Sequence, residues 1–281
     1  MSRRIGNLKI VIILSICIMI TGCLEKKDNF ILNNHSNSME LESGKSGFPQ
    51  IVEERIRNAL ASSNLNFSED DLAKVEFISF EGISEPVDLS SLSRLENLSG
   101  INLSYVNVEN FEFLYELPHL DYLELNGVSL EELPDFNKLH LQSISISDSN
   151  VKDINFIKNW NKLVSLTLSN CQLANIEGIE QAKKLKTLRI SNNPVKDLQL
   201  LSELNDLERV EINSTQIESI NSLENNKNLT FLDIRNTPIN TVASLSKLPK
   251  LKILLANKDK IMDLDMISDS VTVSETNVLE Y

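Results

Sequence analysis

Apolar residues return on a fixed beat through most of the chain. With Leu98 as position zero, the same position is filled by Leu120, Leu141, Leu163, Leu185, Leu207, Leu229 and Leu251, at spacings of 22 or 21 residues. Three residues on stand Ile101, Leu123, Ile144, Leu166, Leu188, Val210, Leu232 and Leu254. Five on stand Leu103, Leu125, Ile146, Leu168, Ile190, Ile212, Ile234 and Ala256. Positions three and five alternate with polar neighbours, so each unit predicts a short strand with one buried face. Position ten is again apolar in every unit, from Val108 to Ile261, and further apolar residues follow at steps of three. That spacing predicts a tight turn and a 3₁₀ piece returning along the outer side. No single unit can bury its own apolar face, so the units must stack into one core beside a parallel sheet.

The pattern resembles the leucine-rich repeat, and its length resembles the internalin-type class. The resemblance covers roughly residues 75–281. It implies an α/β solenoid: a leucine-rich-repeat horseshoe with a parallel concave β-sheet, a short 3₁₀ or irregular convex side and a helical N-terminal cap. The segment FPQIVEERIRNALA, residues 48–61, fits the cap. Pro49 opens it, Glu53 and Glu54 follow, and Val52, Ile56 and Leu60 fall four apart on one face. SEDDL, residues 68–72, then offers a capping-box start. An imperfect first unit follows with Ile78 and Phe80, and a last strand is expected through Val271 and Val273. Ten strands are thus expected, with no separate C-terminal cap domain.

The first residues do not share the beat. Arg3, Arg4 and Lys9 precede an apolar run of eleven, residues 10–20, then ITGC, residues 20–23. The run is too short to span a bilayer, which takes about twenty residues. A basic start, a short apolar run and small residues before a cut make a secretory signal. ITGC resembles the bacterial lipobox, which implies lipidation of Cys23 and a membrane anchor outside the cytoplasm. The domains expected are a signal peptide at 1–22, a flexible tether at 23–47, the helical cap at 48–74 and the repeats at 75–281. Twenty-four tether residues would reach roughly 25–30 Å.

Removing the signal changes the charge balance. The chain has 27 Lys plus Arg and 40 Asp plus Glu. Losing Arg3, Arg4 and Lys9 leaves 24 basic groups and a net charge of −16. Nucleic acid and anionic lipid surfaces repel such a body, so no nucleic-acid partner is expected and the lipid must do the anchoring.

The chemistry of catalysis is scarce. Cys17 leaves with the signal and Cys23 takes lipid, so Cys171 is the remaining thiol and no internal disulfide forms. A nucleophile, a metal ligand and a structural filler are the three readings of Cys171. It stands eight residues past Leu163, in a column reading Val106, Val128, Ser149, Cys171, Asn193, Thr215, Thr237 and Asp259. Side chains of that kind hydrogen-bond the turn leaving a strand, so a buried structural rung is expected. Val106 and Val128 break the column, so the first turns are expected to be less well tied. His119 and His140 precede adjacent leading leucines without a third ligand, and Trp160 falls in a core column. No catalytic residue, metal site or cofactor is expected, and the chain is not read as an enzyme.

What remains is the concave face, formed by positions two, four and six of each strand. Position six is uniformly polar and reads as an edge. Ser143, Ser145, Ser165, Thr167 and Thr187 form a block of hydroxyls. Arg189, Arg209, Glu211, Phe231, Asp233 and Arg235 follow on neighbouring strands, and Tyr122 with Glu124 lies on the other side of the block. Arginines and aromatics are what interface hot spots favour. These eight residues are the candidates for binding a protein partner, from a host or from the envelope itself; an ordinary salt-bridged sheet face is the other reading.

Overall fold

A computed structural model describes residues 46–63, 66–128, 133–157 and 161–277. Cys23, most of the tether and Trp160 lie outside the described residues. Within them, ten strands form one parallel sheet in chain order. They are β1 (Phe77–Val87), β2 (Gly100–Val108), β3 (Tyr122–Asn126), β4 (Ser143–Ser147), β5 (Ser165–Ser169), β6 (Thr187–Arg189), β7 (Arg209–Glu211), β8 (Phe231–Asp233), β9 (Ile253–Leu255) and β10 (Thr272–Ser274). This is the expected leucine-rich-repeat solenoid.

The register follows the sequence beat. Ile101 pairs with Leu123, Leu123 with Ile144, Ile144 with Leu166, and so on through Leu188, Val210 and Leu232 to Leu254; the last strand pairs at a shorter step, Leu254 with Val273. A like residue therefore sits beside a like residue on every strand. Leu123, Leu166, Leu188, Val210, Leu232 and Leu254 are each fully buried. The outer side is built of 3₁₀ turns, among them Ser90–Arg94, Glu112–Glu116, Gln199–Glu203, Asn221–Asn225 and Ala243–Lys247. Each of these five drives a leucine into the core: Leu92, Leu114, Leu201, Leu223 and Leu245. Asn226 is buried behind them, and its amide reaches the carbonyls of Leu201 and Leu204 at 2.9 and 2.7 Å.

Helix α1 (Gln50–Leu60) packs against β1, with Val52 and Ile56 buried. It ends at Ala61 in the left-handed conformation. Helix α2 (Glu69–Leu72) has the reciprocal capping box, since Ser68 accepts from the Asp71 backbone and Asp71 accepts from the Ser68 backbone. Arg94 stacks 3.9 Å from the Phe48 ring centroid, which pins the start of the cap to the first 3₁₀ turn.

From Ser149 to Thr237 the column at position eight forms the ladder expected of it. Asn193 accepts from the backbone N–H groups of Cys171 and Leu173 and donates to the carbonyls of Leu168, Ile190 and Ser191. Ser149 accepts from Val128 N–H and donates to the Ser147 carbonyl. Thr215 and Thr237 donate to the carbonyls of Ile212 and Ile234. Cys171 is fully buried, and its thiol donates to the carbonyls of Ile146 and Ser169. Burial pushes that thiol up from 9.0 to about 11, the reverse of what activates a nucleophile.

One expectation needs correction. The turn at Val106 is not left loose. Strands β1 and β2 run 11 and 9 residues, and their pairing extends past the usual strand end through Ile83–Val106 and Val87–Val108. Backbone pairing ties the first turn where a polar side chain ties the later ones.

Candidate functional site

Positions two and four of each strand face away from the core. They carry two polar groups separated by the hydroxyl block. On the N-terminal side, the Tyr122 hydroxyl donates to Glu124. Glu124 also accepts from the amides of Asn102 at 3.2 Å and Asn126 at 3.0 Å. Ser104 links the same two asparagines, donating to Asn102 at 2.6 Å and accepting from Asn126 at 2.9 Å. Gly100 matters here because a Cβ would come within 2.6 Å of the Phe77 ring. Phe77 therefore lies across Gly100 and reaches Tyr122, with ring centroids 6.1 Å apart. Tyr122 is nearly closed off from solvent, at 3% exposure.

On the C-terminal side, the register places Arg189 beside Glu211 and Glu211 beside Asp233, with Arg209 beside Phe231. Glu211 accepts from Arg189 at 2.7 Å and from Arg209 at 2.6 Å. Burial works to raise the Glu211 pKa, but the two guanidinium groups outweigh it and hold the carboxyl below its ordinary value. Arg209 also stacks on Phe231, its guanidinium carbon 3.5 Å from the ring centroid. Arg235 grips Asp233 through two hydrogen bonds of 2.9 and 2.6 Å. Arg235 further donates to the Glu275 carbonyl and to the Asn277 side chain, both beyond β10.

The sheet thus brings Arg189, Arg209, Glu211 and Phe231 into one connected group. Asp233 and Arg235 form their own pair beside it, while Tyr122 and Glu124 sit apart, two strands and more away. One expectation changes. Phe231 and Asp233 lie on the face that the register predicts, yet they are only 5% and 2% exposed. Arg209 lies over Phe231, so the arginines and Glu211, each about a quarter exposed or less, form the open part of this group. Sequence reasoning also passed over Phe77, Asn102, Asn126 and Leu255. The last stands at a face position but is 1% exposed. Reading position four as a column would have found Asn102 and Leu255; the bracing role of Phe77 has no counterpart in the repeat.

Among the described residues, no three His, Cys, Asp or Glu side chains gather to hold a metal. His119 and His140 are both exposed.

No known protein-family profile matches the chain. A stretch of 75 residues, 25% of this chain, is 43% identical to Receptor-like protein 6 of Arabidopsis thaliana and spans only 7% of that protein. Among solved structures, internalin C2 of Listeria monocytogenes superposes with a TM-score of 0.63 at 23% identity, covering 74% of this chain and 93% of that one. A TLR13–ssRNA13 complex superposes with a TM-score of 0.55 at 21% identity, covering 67% of this chain and 30% of the receptor chain. These likenesses define the class as a leucine-rich-repeat solenoid. Its ten-stranded parallel sheet in chain order is consistent with internalin-type leucine-rich repeats.

Proposed function

We propose that this protein is a bacterial cell-surface lipoprotein, anchored through Cys23, that binds a protein partner on the concave face of its repeats. The observation carrying this reading is the Arg189–Glu211–Arg209–Phe231 group. It places two arginines and an aromatic ring on three neighbouring strands of an unbroken sheet. Arginine presents a rigid, planar fork suited to carboxylates, and stacking on Phe231 orders Arg209 before any partner arrives. The likeness to binding and receptor folds favours a binding protein over an enzyme. The RNA in the TLR13 complex belongs to that receptor. Here a net charge of −16 after loss of the signal, 24 basic against 40 acidic groups, and the carboxylates of Glu124, Glu211 and Asp233 on the face argue against a polyanion.

The acidic body, the ITGC motif and the basic N-terminus support an anchored protein facing outward. Two partners remain to be separated, one from a host and one from the bacterium's own envelope. Crosslinking with the full chain, against host-cell surfaces and against envelope extracts, distinguishes them. Recovery of one specific protein lost in Arg189→Ala and Arg209→Ala supports the concave site. Recovery unchanged by either substitution overturns it.

A further inference from the structure

Tyr105 departs from its own column. At position seven, where the chain leaves the strand, the backbone takes positive φ at Gly127, Asp148, Asn170, Asn192, Ser214 and Asn236, with values of 52° to 68°. Glycine, asparagine and aspartate suit that conformation, which crowds the Cβ of other residues and costs them about 1–2 kcal/mol. Tyr105 holds φ 55° with a bulky side chain. A bulky residue there is an outlier, and backbone strain of this kind gathers at functional sites.

The surroundings hold it in place. A Cβ on Gly127 would fall 2.4 Å from the Tyr105 ring, so the ring occupies space that only glycine leaves open. The Tyr105 hydroxyl donates to Asp148 two strands away at 2.5 Å, and Asn170 donates to the other Asp148 oxygen at 2.6 Å. Tyr105 is nonetheless 53% exposed; among the described residues only Met262 and Met266 are large apolar side chains left as open. An exposed hydrogen bond contributes about 1 kcal/mol, no more than the strain removes, so bracing alone does not account for the arrangement.

The rim defines what fits. Asp148 holds the ring hydroxyl and Asn170 holds the other Asp148 oxygen, both planar and polar. Among the described residues, the other exposed large apolar side chains are Met262 and Met266 in the last repeats, so an apolar side chain from a protein would find the ring alone, whereas protein anchors need pockets. A sugar has a C–H face to lay on the ring and hydroxyls to meet carboxylate and amides. We propose that Tyr105 is the stacking platform of a saccharide site at the strand-exit edge of the first repeats. Asp148 and Asn170 bond the sugar hydroxyls there, and the ligand is an uncharged pyranose chain. Asn170 and Tyr105 hold the Asp148 carboxyl below its ordinary value, so it is ionised at neutral pH and repels anionic sugars. The site is separate from the concave arginines and does not rest on them.

The test is saturation-transfer NMR on the full chain in detergent. The probes are chitotetraose, cellotetraose, mannotetraose and sialyllactose, so that N-acetylated, unsubstituted and anionic sugars are separate arms. Transfer to the ring C–H protons of at least one neutral probe is expected, with none to sialyllactose. Tyr105→Asn suits the backbone and should weaken binding tenfold or more. Gly127→Ala, which displaces the ring without removing a polar group, should do the same. Tyr105→Phe should retain most of the transfer and Met262→Ala all of it, with circular dichroism verifying each fold. No transfer to any neutral sugar, or equal transfer in Tyr105→Asn, overturns the proposal.

Discussion

Asn193 ties two repeats together with one side chain, and its removal gives the sharpest test of how the solenoid coheres. The side chain is 3% exposed. Its oxygen accepts from Cys171 N–H at 3.0 Å and Leu173 N–H at 2.9 Å, and its amide reaches the carbonyls of Leu168, Ile190 and Ser191 at 2.7, 3.0 and 3.1 Å. Asn193→Ala leaves two buried N–H groups without these acceptors. Each unsatisfied buried group costs about 1–3 kcal/mol, so a loss of about 4 kcal/mol is expected. Thr215→Val is the graded comparison. Thr215 gives only one hydrogen bond, to the Ile212 carbonyl at 2.7 Å, and valine keeps the shape, so about 1 kcal/mol is expected. Urea unfolding followed by circular dichroism reads both. With a slope of about 3 kcal/mol/M, the Asn193→Ala midpoint should fall by more than 1 M. Repeats contact only their neighbours, so a weakened junction should also broaden the transition as the two halves uncouple. A shift for Asn193→Ala no larger than for Thr215→Val would refute the reasoning, because it would mean that the turn backbone finds other partners at no cost.

Further outcomes follow from the same geometry. Cys171 should resist thiol reagents in the native protein at pH 8 and react only on unfolding. Its folded pKa, raised to about 11 from 9.0, contributes stability fully present below pH 9 and lost as pH rises toward 11; a decline of about 2–3 kcal/mol over that window is expected in alkaline unfolding titrations. Glu211 has the opposite sign: its depressed pKa contributes stability present above the ordinary carboxylate range and lost as pH falls through it, so Glu211→Gln should flatten the acid limb of the stability profile. Labelled fatty acid should enter the wild-type chain and not Cys23→Ser; equal labelling of both would remove the lipid anchor from the proposed function. Arg209→Ala should weaken partner binding by about 2 kcal/mol, with Ser145→Ala nearly neutral, read by titration with the partner that crosslinking identifies.

The repeat was legible because it is written in one variable, the burial of side chains at a fixed step. Positions three and five must face the core in every unit, and a slip of one residue would expose them all, so the register from Ile101 to Leu254 could be read directly. The polar ladder was legible for a related reason, since each turn leaves the same backbone groups needing partners and the side chains at position eight supply them. The left-handed column at position seven was visible as Gly, Asp and Asn in five of its seven places, with Tyr105 and Ser214 the departures. It went unread because hydrophobic periodicity gives no weight to a polar position whose role is a backbone angle.

The concave face resisted for a different reason. Its residues are fixed by register, which sequence gives, but their exposure is fixed by what their neighbours on adjacent strands do. Phe231 shows the difference. At position two of β8 it points away from the core, yet Arg209 on β7 stacks on it, and 5% of it stays open. Arg209 is free to do so because Glu211 draws its Nε from the same strand, two residues on. The same Glu211 oxygen accepts from Arg189 on β6. One carboxylate therefore decides where two arginines lie, and one arginine decides whether an aromatic ring is part of the surface. Glu211→Gln keeps the shape but weakens that hold, so Phe231 should become accessible as Arg209 swings away. An interface built this way meets its partner through oriented guanidinium groups with the ring as their support. Truncating Phe231 would then act on binding through the position of Arg209, rather than through lost contact with the partner.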